Sequence, residues 1–124
     1  MENSENIYMV AKNIAKEGMQ LMRKSFVMPV NPHQHKEYQR RHDLIWPEVK
    51  SLLKLHGVHN YSIFLDVQSS QLFGYVEIEN EARWQAIADK ALCQKWWAYM
   101  AEIMPTNADL SPKYKVLVEV FHLD

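Results

Sequence analysis

Glycine is scarce in this chain: 124 residues contain only Gly18, Gly57 and Gly74. A glycine-rich loop cradling phosphate is therefore excluded. Cysteine is scarcer still. Cys93 stands alone, which excludes an intrachain disulfide and a cysteine-built zinc site and suits a reducing compartment. No apolar run approaches the length of a membrane span. The opening MENSENIYMVAKNIAKEGMQL lacks the charged, apolar, then cleavage order of a secretory signal. An excess of one charge is also missing. Fourteen Lys and Arg face 15 Asp and Glu, for a net charge of −1, with no basic block to bind phosphate. Nucleic acid and membrane are thus not expected partners, and a cytoplasmic location is.

What is present suits one soluble domain with a single core: 48% of residues are hydrophobic and 11% aromatic. Residues 1–21 stand apart. Ile7, Val10, Ile14 and Leu21 could form a short amphipathic cap, but Gly18 weakens it, and a loose N-terminal extension or a false start before Met22 is the preferred reading. The domain is then 22–124.

RKSFVMPV alternates like a strand, with Pro29 near its end. Asn31 as N-cap, Pro32 at the first position and Gln34 predict a helix from Pro32 to about His42. Pro47 crowds the Asp43 carbonyl, so the helix restarts there and runs to His56, with Gly57 as its stop. NYSIFLD and QLFGYVEI form a hairpin around VQSS. A helical stretch runs from a cap at Asn80 to Pro105, broken near Asp89. YKVLVEVFHL, Tyr114 to Leu123, is the last strand. The order β-α-β-β-α-β predicts an α+β, ferredoxin-like fold, with a four-stranded antiparallel sheet carrying both helices on one face. Both sheet faces are apolar, which predicts a cover for the second one. A second copy is the simplest cover, giving a homodimer with facing sheets, a dimeric α/β barrel.

His42 is the strongest candidate for chemistry. Its reference pKa of ~6.5 suits proton transfer near neutrality. Helical spacing puts it in line with Tyr38 and Ile45, on a stripe continuing through Val49 and Leu52. A hydrogen-bonded core histidine is the competing reading. Trp96 and Trp97 are neighbours, about 100° apart on a helix. One of them lies at a margin or lines a cleft, where flat rings suit the C–H face of a sugar, with core packing or a dimer contact as the alternative. The Tyr61 hydroxyl could reach the same cleft. His33 and His35 point roughly 200° apart and cannot share a metal. His56 and His59 alone are a weak metal signal, so no metal is expected. Cys93 reads as a small buried hydrophobe.

Taken together, RKSFVM, HKEYQRRHDLIWPE, HGVHNYSIFLD, VEIENEARWQAIA, CQKWWAYMAEIMP and EVFHL resemble the L-rhamnose mutarotase family, from Met22 to Asp124. The resemblance implies a ferredoxin-like homodimer that interconverts the α and β anomers of L-rhamnopyranose without a cofactor, serving rhamnose catabolism. It places the family's proton donor on His42 and its sugar-binding positions on Tyr38, Tyr61, Trp96 and Trp97. The family pattern varies just after the histidine, where this chain has Asp43. His42 as imidazolium would donate to the ring oxygen and take the proton back on closure. The base for the anomeric proton stays open among a second histidine, Asp43, a tyrosine and water. Two other chemistries fit the same fold: a cofactor-independent monooxygenase or haem-degrading dimeric α/β-barrel enzyme, and a non-catalytic sugar-binding module.

Overall fold

Alternation sets the first strand. Phe26, Met28 and Val30 turn one way and are buried, while Arg23, Ser25 and Val27 turn the other way. The computed structural model describes residues 20–124, and β1 spans Met22–Pro29. The extension expected over 1–21 lies outside the described residues, apart from Gln20 and Leu21.

The helix expected from Pro32 starts later. Residues 31–34 form a turn, closed by the Gln34 N–H donating to the Asn31 carbonyl at 2.9 Å, and α1 is His35–Asp43. Gln34 stands at the N-cap position without a side-chain bond. A tertiary bond overrides the local signal here: the Asn31 N–H donates to the Ile103 carbonyl at 3.0 Å, which fixes the turn against the far end of the chain.

Pro47 behaves as its ring dictates. It opens α2, Pro47–Leu55, and holds Trp46 extended at φ −57° and ψ 129°. Gly57 ends the segment at φ 78°, where an added Cβ would approach the Glu79 Cβ to 2.9 Å.

Strand β2, Val58–Asp66, starts before the expected Asn60 and pairs with β3, Gln71–Ile78. Its register slips between His59 and Ser62, so Asn60, at φ 45°, and Tyr61 bulge opposite Val76. Asn80 caps α3, Glu81–Ala86, by accepting the Arg83 N–H at 2.9 Å. A 3₁₀ turn at Ile87–Asp89 and an extended Lys90 make the expected break, and α4 is Ala91–Met100.

The final strand is much shorter than Tyr114–Leu123. Strand β4 covers Lys115–Leu117 against Ser25–Val27 of β1. Beyond Leu117 the chain leaves the ladder, although Glu119 still meets Arg23 at 2.9 Å. Its valines stand in solvent: Val118 is 83% and Val120 93% exposed.

The four-stranded sheet has order β2-β3-β1-β4, and every neighbouring pair is antiparallel. The fold is α+β. Helices cover one face, where Phe26, Met28, Leu72, Val76 and Ile78 pack with Tyr38, Val49, Ile87, Trp96 and Met100. Gly74 makes room for the Phe26 ring, which lies 2.4 Å from where a Cβ would stand. The opposite face carries Val27, Phe64, Phe73, Tyr75 and Leu117, none of them buried. No helix among the described residues is long and apolar enough to cross a membrane.

Candidate active site

Between the helices and the sheet lies a cavity of about 1400 Å³. Tyr38, His42, Tyr61, Trp96 and Trp97 all line it. Tyr38 and His42 come from α1, one turn apart, with rings stacked at 4.3 Å and 25°. Trp96 reaches His42 from α4, edge to face at 5.5 Å. The bulge in β2 aims Tyr61 to the helix side, where its ring meets Phe26 at 6.2 Å and Trp84 at 6.3 Å. The adjacent indoles divide as helical geometry requires: Trp96 is buried and Trp97 half-buried.

His42 Nδ1 lies 3.1 Å from the Tyr38 carbonyl oxygen. A carbonyl only accepts, so Nδ1 carries the hydrogen and donates it. Nε2 is then the nitrogen left for a ligand. Burial lowers the His42 pKa below its ordinary value, against smaller opposing effects of the Tyr38 carbonyl and Asp43. The neutral ring is therefore the resting form at neutral pH, and the imidazolium start expected from sequence is disfavoured by desolvation. Its Nε2 lone pair accepts a proton before it can give one.

The two tyrosines are held as neutral phenols. Burial raises both phenol pKa values, with a smaller effect of each group's neighbour, Tyr61 for Tyr38 and Cys93 for Tyr61. Among the described residues no hydrogen bond engages either hydroxyl, and neither is a buried unpaired atom, so both open to the cavity. Cys93 also lines the cavity, and burial pushes its thiol up to about 11, which keeps it protonated and a poor nucleophile. His35 bonds Ser70 at 2.8 Å and His59 meets Glu79 at 2.5 Å. Among the described residues, no three His, Cys, Asp or Glu side chains converge as metal ligands.

Some participants carried no sequence signal. Gln39, Asn60 and the pair Lys24–Glu81, 2.7 Å apart, add polar groups to the cavity wall. Trp46 packs behind Trp96 at 5.0 Å. Its place before Pro47 was a usable clue, since that position is held extended and swings the ring out of helical register.

A cavity with two phenols, flat indoles and one imidazole offering Nε2 is equipped to hold a polyhydroxylated ring and move a proton on it. Comparison with known proteins is decisive. Residues 23–123 match the family model described as L-rhamnose mutarotase. The chain belongs to the L-rhamnose mutarotase family. It is 58% identical over 104 residues to the L-rhamnose mutarotase of Pectobacterium carotovorum, covering 84% of this chain and 100% of that protein. The Tolumonas auensis L-rhamnose mutarotase is 57% identical over 103 residues, covering 83% of this chain and 99% of that one. A crystal structure of an L-rhamnose mutarotase from Formosa agariphila superposes at TM-score 0.77 with 40% identity, covering 83% of this chain and 99% of that chain. Rv0793 from Mycobacterium tuberculosis aligns at TM-score 0.53 over 85% of this chain and 100% of its own, but at 8% identity it shares the fold alone.

Proposed function

We propose that this protein interconverts the α and β anomers of L-rhamnopyranose by opening and reclosing the ring, in the cytoplasm and in service of rhamnose catabolism. The observation that carries the site assignment is the His42 environment: Nδ1–H committed to a backbone carbonyl, Nε2 open, and Tyr38 and Trp96 against the ring. Membership in the family supplies the substrate.

The steps balance with one imidazole. Nε2 of neutral His42 takes the proton from the anomeric hydroxyl. The bond from C1 to the ring oxygen breaks as the C1 carbonyl forms, and the imidazolium returns a proton to the ring oxygen. Both oxygens are attached to C1, so one nitrogen can reach each in turn. Rotation about C1–C2 presents the other carbonyl face, and the reversed steps close the ring. A positioned acid/base group of this kind contributes ~10² to 10⁴ in rate. Tyr38 and Tyr61 donate to sugar hydroxyls, and Trp96 and Trp97 hold the apolar face. His42→Ala should abolish the acceleration in saturation-transfer NMR of L-rhamnose while the protein stays folded. Full rate in that variant would remove His42 from the mechanism.

We place this chemistry in a ferredoxin-like domain spanning 22–124 and working as a homodimer with facing sheets, a dimeric α/β barrel. The strand order supports the first part. Two features support the second. The open face presents Phe64, 67% exposed, beside Phe73, with Val27 and Leu117 further across the sheet. The segment after β4 holds Phe121 and Leu123 in solvent, at 78% and 79% exposure. Apolar surface of this kind marks an interface.

A further inference from the structure

Three side chains outside the cavity wall form a stack behind it. The Arg41 guanidinium lies 3.9 Å from the Tyr99 ring centroid. Tyr99 stacks on Trp46 at 5.4 Å and 26°. Trp46 meets Trp96 edge-on at 5.0 Å, and Trp96 meets His42 edge-on at 5.5 Å. The path closes on itself, because Arg41 and His42 are consecutive on α1.

Arg41 is held more firmly than a surface arginine. Its side chain is 11% exposed, and Nη1 donates to the Tyr99 carbonyl at 2.5 Å. Nη2 meets Glu102 at 2.9 Å and Nε meets Glu37 at 3.2 Å. The Tyr99 carbonyl lies in the last turn of α4, where carbonyls lack helical partners and a cation is favoured. One guanidinium thus joins the helix that carries the histidine to the helix that carries the indoles. Arg41, Trp46 and Tyr99 are absent from the cavity lining, so they reach a bound sugar only through His42 and Trp96.

We infer that Arg41, acting through Tyr99 and Trp46, is a positioning residue that fixes Trp96 against His42 for proton transfer. This rests on the reading of His42 as the acid/base group. A bolt serving stability alone would lower the melting temperature and leave the kinetics of the folded protein unchanged. Positioning instead lowers kcat, because small misplacements of a reacting group are costly, whereas Tyr38, Tyr61 and Trp97 still bind the sugar.

The test measures anomer exchange against L-rhamnose concentration for wild type, His42→Ala, Arg41→Gln, Arg41→Ala and Tyr99→Leu, each well below its melting temperature. Arg41→Gln and Tyr99→Leu should lower kcat roughly ten- to hundredfold, with KM within about threefold of wild type. Millimolar guanidinium should restore part of the rate of Arg41→Ala and none of that of Tyr99→Leu. If Arg41→Gln fails to fold, Tyr99→Leu decides, since it keeps the carbonyl acceptor. Folded variants with kcat within about twofold of wild type, beside an inactive His42→Ala, overturn the positioning role alone. A fully active His42→Ala overturns the site reading beneath it.

Discussion

With Nδ1–H committed to the Tyr38 carbonyl and Trp96 against its ring, His42 meets neutral pH as a free base. The sign of its pKa shift fixes a pH profile. The rate should be flat through neutrality and fall only as pH drops through a pKa below the ordinary ~6.5. A limb centred above that value in a pH series of exchange rates would contradict burial as the controlling effect. The same shift bears on stability. Beneath ~6.5 the unfolded chain takes up a proton that the folded chain resists, so stability declines on acidification through that window. The two phenols give a separate prediction. Tyr38→Phe and Tyr61→Phe should each raise KM about tenfold, the loss of one hydrogen bond of ~1.5 kcal/mol, in the same titration of exchange rate against sugar. The sequence placed His42 on an inward stripe but could not separate a core histidine from an acid/base group. The Nδ1 bond is local, one turn back along α1. The Trp96 contact that completes the environment joins residues far apart in the chain, and spacing cannot report it.

At the scale of elements, breakers and caps were the legible features because each acts on its own neighbours. Pro47, Gly57, Asn80 and the break at Asp89 all fall where local chemistry put them. Signals with a distant competitor misled. The Asn31 cap gave way to a turn anchored on Ile103, and the last strand ended once β1 no longer paired with it. Two substitutions test this level by urea unfolding. Asn80→Ala removes the oxygen that accepts the Arg83 N–H and should cost about 1 kcal/mol. Gly74→Ala drives a methyl into the Phe26 ring and should cost about 1–3 kcal/mol, with Tyr61 disturbed through its contact with that ring. A neutral Gly74→Ala would mean that Phe26 can turn aside without loss.

At the largest scale, residues 20–124 form an antiparallel sheet with helices on one side and, on the other, an unburied surface that carries Val27, Phe64, Phe73, Tyr75 and Leu117. Element order alone foretold this arrangement, since two βαβ crossovers joined by a hairpin have few ways to close. Period-two alternation also foretold the second apolar face, although how a partner sits on it depends on shapes that one chain's pattern does not encode. Under the proposed facing-sheet dimer, Phe64→Asp should leave the fold intact and turn that dimer into a monomer in light scattering, because a carboxylate there would be buried in the interface without a partner. An unchanged dimer would place the interface elsewhere. The central claim, that His42 speeds ring opening of this sugar, is tested most directly by saturation-transfer NMR on L-rhamnose at equilibrium. Exchange between the two anomeric protons should rise in proportion to wild-type protein and return to the buffer rate with folded His42→Ala. Exchange at the buffer rate with wild-type protein, or equal acceleration by both proteins, would contradict it.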